Sequence, residues 1–446
     1  MELENFNLPD DWQMKPIREA YAFTKKPRGL NIQDDKRIPF LPMETIPIGR
    51  VRVTSYEERL GSALTSGTYI ENGDLLVAKI TPSFENGKQA IVDWDQPFGF
   101  ATTEVIPIQE VQGVSDKFYL FHLLLHPVIR SDLAGKMDGT TGRQRLSKEV
   151  LGSRVIPLPP LPEQRQIAGV LGVVQRAIEQ QERLHQLTAE LKKTLLHQLF
   201  TQGLRGEPQK QTEISSVPES WEATTLGELA CKPNGFLQTG PFGSQLHKHD
   251  YLPEGIGVVN PTHLWGNRIN HEDVPRVSPE TAARLERHRL EVGDILFARR
   301  GEIGRHGMVT KDEEGWLCGT GCFLARVRQK HMDNRFLSYL FSTSGVIAWL
   351  NSHAAGAIMP NLNNTVLRSM PVFCPKLDVQ VQIADCLDAA EQKMMVSERK
   401  KQSLTDLFRT LLHQLMMAQI RVHDLDLERI LSQAERDFDV SLYKDS

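Results

Sequence analysis

The sequence predicts an α+β protein of pseudo-twofold, duplicated build: two α/β heads separated by two long antiparallel coiled-coil helices. Three observations predict it. The phrase TLLHQL at Thr194–Leu199 returns at Thr410–Leu415, 216 residues on. Other matches follow in the same order: LPDDW (8–12) with VPESW (217–221), GDLLVAK (73–79) with GDILFAR (293–299), and QIA (166–168) with QIA (382–384). Finally, two long proline-free stretches carry apolar residues at helical spacing. Repeated matches with a slowly drifting offset are what loop-length differences between two copies of one fold produce.

The elements follow in order within each half. A varied segment of short strands and turns comes first. GDLLVAKI and GDILFARR read as a Gly-Asp turn feeding a buried strand; ATTEVIPI (101–108) and CFLARV (322–327) read as further strands. KFYLFHLLLHPVIRSDL and NRFLSYLFSTSGVIAWL have helical periodicity. A proline-marked boundary, PLPPLPEQ or CPKLD, then keeps the chain extended until a helix can begin. From Glu163 to Phe200 an apolar stripe runs through Ile167, Leu171, Val174, Ile178, Leu191, Leu195 and Leu199, with a polar step near Gln181. Its counterpart runs through Ile383, Leu387, Met394, Leu407, Leu411 and Leu415. A helix of that length spans about 57 Å at 1.5 Å per residue. A stripe so narrow calls for a partner helix of equal length, and the other half supplies one. The competing expectation is two amphipathic helices, each flat on its own domain. The expected domains are a first head at 1–158, the first helix at 159–205, a linker at 206–216, a second head at 217–375, the second helix at 376–422 and an acidic tail at 423–446.

Composition bounds the class. The chain has 446 residues, 40% hydrophobic and 24% charged, enough for two or three full cores. No apolar run approaches the ~18 residues of a membrane span, and MELENFNLPDDW lacks a signal-peptide core. Five cysteines without a CxxC fit free thiols in a reducing cytoplasm; a metal site on Cys318 and Cys322 is the lesser alternative. The net charge of −4 comes from the end of the chain, since Asp424 onward holds seven acidic and three basic residues. With the rest balanced, any nucleic-acid contact must come from local patches.

Two similar heads on helices suit a ligand with two sites at fixed separation, and double-stranded DNA with two half-sites is such a ligand. At this point the residues resemble the specificity subunits of type I restriction-modification systems. IPLPPLPEQRQIAGVL (156–171) carries the P-L-P-x-Q-x-x-I-A pattern of the family's first repeat, and LKKTLLHQLFTQGLRG (191–206) looks like its end. GPFGSQL (240–246) and GDILFARRGEIGRHG resemble stretches of its target recognition domains. The second repeat departs from the pattern, with Val379 where Glu163 stands. The resemblance implies a non-catalytic subunit whose two target recognition domains read a bipartite site. It also implies helices that dock two modification (adenine methyltransferase) subunits, which restriction subunits then join. It places S-adenosylmethionine on the modification subunits, and ATP and Mg on the restriction subunits, with no cofactor in this chain.

A search for catalytic chemistry agrees. NPTH (260–263) lacks the second proline and aromatic of an amino-methyltransferase loop, GEIGRHG is not a G-x-G-x-x-G cradle, and no Walker A string or H-E-x-x-H occurs. His197 and His413 read as helix-surface or interhelix residues. Candidate DNA contacts are Lys79, the loop residues Thr140, Thr141, Arg143, Gln144 and Arg145, then Arg299, Arg300, Arg305 and His306, and finally Asn361, Asn363 and Asn364. An unrecognised bifunctional enzyme and a scaffold that joins protein partners without reading DNA remain as rival readings.

Overall fold

The computed structural model describes residues 8–64, 66–140, 142–231, 235–243, 245–354 and 361–424. The chain divides into two compact units: residues 1–185 with 396–446, and residues 186–395. Both long helices are continuous, Leu161–Gln202 and Leu377–Met416, and each gives one end to either unit. Among the described residues no helix is long and apolar enough to cross a membrane.

In the first unit a five-stranded sheet runs in the order Tyr21–Phe23, Val105–Glu110, Leu75–Ala78, Gln89–Val92, Arg52–Val53. A four-stranded sheet adds Glu57–Leu60, Arg37–Leu41, Phe98–Ala101 and Thr68–Glu71. The second unit has one four-stranded sheet of Phe236–Thr239, Cys322–Arg326, Ile295–Ala298 and His306–Met308. Another holds Tyr251–Leu252, Arg276–Val277, Ile256–Val259 and Leu317–Cys318. Both heads close alike. The strand that opens each half pairs antiparallel with the strand that precedes its long helix: Gln13–Pro16 with Val155–Leu158, and Glu222–Thr225 with Pro371–Cys374.

The Gly-Asp turns explain the matching buried strands. Gly73 and Gly293 have φ of 88° and 84°, a left-handed conformation that favours glycine. The aspartate that follows is fully buried in each case and accepts a backbone N–H three residues back, Glu71 to Asp74 and Glu291 to Asp294, both at 2.8 Å. Asp74 also accepts from Thr24 Oγ1 at 2.8 Å, whereas Asp294 meets Arg326 at 2.7 Å and Arg328 at 3.2 Å.

The long helices do not bury their stripes as a uniform coiled-coil seam. In the first unit Ile167, Val170 and Leu171, from the start of the first helix, join the head core with Leu412, Leu415 and Met416 from the end of the second. In the second unit Leu199 and Phe200 join the head core with Ile383 and Leu387. So each TLLHQL is a helix end seated in a head core, and the head that receives Leu412 and Leu415 lies at the other end of the sequence. The contacts between the helices run antiparallel within each unit: Glu182 to Lys401 and His185 to Glu398 in the first, Lys192 to Glu391 in the second. Middle positions are polar even where buried, as Gln181, Thr188 and Ser397 show. Leu191 and Leu407, expected in the seam, are 53% and 46% exposed. Helical period identifies an apolar face; it does not say whether a head, a helix or solvent covers it.

Candidate DNA interface

In the first head Lys79 directly follows the end of the central strand Leu75–Ala78. The loop that sequence pairs with it is tied there by backbone bonds. Leu146 donates to the Lys79 carbonyl at 2.7 Å, Thr81 donates to the Gln144 carbonyl at 3.0 Å, and Ile80 bridges Arg145. The loop itself is a hairpin, Asp138–Thr140 against Arg143–Arg145, turned at Gly142 with φ of 80°. Arg143 and Thr140 are exposed and Gln144 is half-buried; Thr141 lies outside the described residues.

Arg145 is held differently. Its guanidinium makes a bidentate pair with Glu104 at 2.9 and 3.0 Å, which pulls the Glu104 carboxyl below its usual range. Lys79, Arg145, Ser147 and Lys148 line an open cavity of about 570 Å³. Sequence reasoning missed Lys148, whose ammonium sits 4.7 Å from the Phe23 ring centroid. Burial, then the charge of Lys25, lowers its pKa. Ser147 caps the helix Lys148–Ser153 by accepting from Val150 N–H at 3.1 Å.

The second head repeats the construction. Ile295–Ala298 delivers Arg299, Leu362 donates to the Arg299 carbonyl at 3.0 Å, and Arg300 bridges Asn361. The amide of Asn361 is held at this junction, its Oδ1 accepting from Arg299 Nε at 3.3 Å. Asn363 takes the place of Ser147 and caps the helix Asn364–Ser369 through Val366 N–H at 2.9 Å. Arg300 and Asn364 are exposed, Arg299 is half-buried, and Arg305 pairs with Glu302 at 2.9 Å. Of the loop Ala354–Asn364, residues 355–360 lie outside the described residues.

His306 is a correction. It is 2% exposed, its ring nitrogens lie 2.9 Å from the Gly304 carbonyl and 2.8 Å from the Ser338 carbonyl, and it packs between Phe297 and Phe341. Burial lowers its pKa. It is a core residue, out of reach of DNA. The string RRGEIGRHG is polar apart from its glycines and Ile303, and only the strand pairing of His306 with Phe297 shows that His306 turns inward.

The structure therefore brings Lys79 together with Arg145 and Gln144, and Arg299 with Arg300 and Asn361, by the same backbone bonds in both heads. Two aromatics stand at the surface: Trp265, 75% exposed at the hairpin Leu264–Trp265/Arg268–Ile269, which no sequence pattern singled out, and Phe242, 60% exposed within GPFGSQL.

Each head thus ends a buried strand in a cation beside a polar loop, one construction used twice. The family model for the type I restriction modification DNA specificity domain matches twice, at residues 9–189 and 218–406, so the chain belongs to that family. The type I restriction enzyme MjaVIII specificity subunit of Methanocaldococcus jannaschii is 22% identical over 439 residues, covering 95% of this chain and 96% of that protein. The Escherichia coli type I restriction enzyme EcoAI specificity subunit is 27% identical over 225 residues, 49% of this chain and 36% of that one. The crystal structure of the type I restriction-modification system S subunit from M. genitalium matches with a TM-score of 0.59 at 17% identity, covering 93% of this chain and 98% of that one, a likeness of fold.

Proposed function

We propose that this chain is the non-catalytic DNA-recognition subunit of a type I restriction-modification complex. Each head binds one half of a bipartite site in double-stranded DNA. The long helices set the unread spacer and dock two modification subunits, with restriction subunits joining them. S-adenosylmethionine then belongs to the modification subunits, and ATP and Mg to the restriction subunits. The observation that carries this reading is the duplicated junction. Lys79 and Arg299 stand at equivalent strand ends, and Leu146 and Leu362 bind their carbonyls, while the loops beside them differ. A shared frame with different reading groups suits two different half-sites. The exposed Leu187, Leu191 and Leu407 are apolar surface for a partner helix.

Co-expression with modification subunits, followed by mapping of methylated adenines, tests the reading. Exchanging residues 1–150 for the first head of a relative should change one half of the motif only; a change in both halves would sink independent reading. A spacer test uses the helix register. A heptad inserted after Glu190 needs its match near Gln392, because Lys192 faces Glu391. Seven residues lengthen a helix by about 10.5 Å while the stripe drifts only about 20°. The spacer should grow by about three base pairs at 3.4 Å each. An unchanged spacer in an assembled complex would remove the helices from that role.

A further inference from the structure

One cavity lies in the first unit, and the equivalent residues of the second unit say what could occupy it. It holds about 530 Å³ between the first head and the first turns of its long helix. Arg50, Arg52, Arg165 and Arg176 line it, with His122 at its wall. The helix opens it through glycine: a Cβ at Gly169 would meet nothing within 4 Å, and one at Gly172 only the Arg176 guanidinium at 3.4 Å. His122 is 1% exposed, and its Nδ1 is buried without a hydrogen-bond partner.

The equivalent residues of the second unit are fixed by a shared clamp. Gln164 accepts from Asp116 N–H at 2.9 Å and donates to the Pro159 carbonyl at 2.8 Å; Gln380 does the same with Asp333 at 2.9 Å and Pro375 at 2.8 Å. Counting on from these anchors, Phe118 corresponds to Arg335, His122 to Tyr339, Gly169 to Asp385 and Gly172 to Asp388. In the second unit Asp385 and Asp388 each bind Arg335 at 2.8 Å, and Asp388 accepts from Tyr339 Oη at 2.6 Å. That place is filled by carboxylates from the helix itself. In the first unit the helix carries glycines at those two positions, with its own Arg165 and Arg176 on the same face and Arg50 and Arg52 on the opposite wall.

The geometry points to this cavity as a binding site for a ligand bearing two carboxylates, the pair that the second unit carries as Asp385 and Asp388. The inference rests on the first unit's structure and stands apart from the DNA reading. Of the acidic groups that line the cavity, Asp116 caps Tyr119 N–H at 2.9 Å, and burial raises the pKa of Glu179 against the opposing charges of Arg50 and Arg176, which favours its neutral form. Arg52 is partly spent on Asp93 at 2.6 Å. Arg165 and Arg176 are exposed on the helix face that carries the two glycines, as the ligand's principal partners. The carboxylates can come from a free acid or from the chain's own end, where seven acidic residues stand from Asp424 onward.

Calorimetric titration of glutarate separates these sources. Its carboxylates span roughly the 5–6 Å between neighbouring helix positions three apart. The full chain and a chain ending at Asp424 are titrated in parallel. Equal binding by both identifies a free acid as the occupant; binding by the shortened chain that is about tenfold tighter identifies the acidic end. In either case Gly169→Asp with Gly172→Asp should abolish binding and raise Tm, while Gly169→Ala with Gly172→Ala should raise Tm through helix propensity and still bind. Arg165→Gln with Arg176→Gln should weaken binding about tenfold or more in a chain that melts normally. The proposal is overturned if neither chain binds glutarate, if the aspartate pair leaves binding intact, or if inorganic phosphate binds as tightly.

Discussion

The two units seat their long helices on their heads in unequal ways, although one fold was used twice. In the first, Trp12 Nε1 donates to Glu163 at 3.0 Å, and Arg421 grips Glu163 at 2.6 Å and Asp11 at 2.8 Å. One arginine just beyond the end of the second helix thus ties together the start of the chain and the start of the first helix. In the second unit Val379 stands where Glu163 does, Ser220 where Asp11 does, and Arg205 where Arg421 does. Trp221 is 1% exposed, and its Nε1 has no partner. Arg205 is exposed, and Ser220 donates instead to Glu207 at 2.6 Å. The difference follows from connectivity. Helix one runs directly into the second head through a short link. The first head must instead recover its closing helix from the far end of the chain, and a charged latch holds it there.

The largest expected effect breaks that latch. Arg421→Ala leaves the 8%-exposed Glu163 carboxylate without its cation and should cost about 2–3 kcal/mol, somewhat below a fully enclosed pair because Arg421 is 22% exposed. Arg205→Ala should stay within about 0.5 kcal/mol. Urea unfolding followed by hydrogen exchange at residues 396–420 reads both. Equal losses would mean that the latch is ornamental. The latch also has a pH signature: Asp11 is held below the usual carboxylate range by its bond to Arg421. That contribution is present at neutral pH and is lost as pH falls through the depressed value.

A second comparison sets Asp74 against Asp294. Asp294→Asn should cost about 3 kcal/mol, because it strips the 13%-exposed Arg326 of its innermost carboxylate. Asp74→Asn should cost no more than about 1 kcal/mol at pH 7, the value of one hydrogen bond. Burial pushes Asp74 up to about 6 from 3.8. Since the folded value lies above the unfolded one, the stability it contributes is full below about pH 4 and is lost as pH rises through 6. The difference between wild type and Asp74→Asn, measured by denaturant titration, should therefore shrink from pH 4 to pH 7. A difference that grows would refute burial as the cause.

How far the sequence showed these things depends on the kind of statement. The duplication, the two long helices and the matching strand ends were legible because spacing and repetition lie along the chain. The seating of Leu412 and Leu415 in the first head was not, because an amphipathic face has no address. His306 misled for a related reason: neighbouring glycines and arginines mark a turn, and only strand pairing decides which way a side chain points. The Val379 substitution was visible as a departure from pattern, but its consequence, an unpartnered Trp221 indole, needed the packing.

A third test rebuilds the latch where it is missing. Val379→Glu would offer Trp221 an acceptor and Arg205 a carboxylate. Because Val379 also packs against the head core, its own effect can take either sign. The coupling between Val379→Glu and Arg205→Ala isolates the pair and should be about 1 kcal/mol stabilising. Zero coupling would show that the second unit's backbone does not present the two side chains to each other.

The last comparison concerns the reading loops. Arg143 is exposed and Arg145 is already paired with Glu104, so the two arginines of one hairpin should behave unlike each other on DNA. Arg143→Ala should lower the slope of log affinity against log salt by about 1 if it meets a phosphate, or cost about 1–3 kcal/mol at a single base pair if it reads a base. Arg145→Ala should change the salt slope less, because the cation it removes was neutralised before DNA arrived. Glu104→Gln supplies the control: it frees Arg145, and the slope should then steepen toward that of one added phosphate contact. If Arg145→Ala flattens the slope as much as Arg143→Ala while Glu104→Gln does nothing, the pair must open on binding. The bidentate bond to Glu104 would then hold the loop only in the absence of DNA, and the free cations of the first head would number one more than the unbound structure displays.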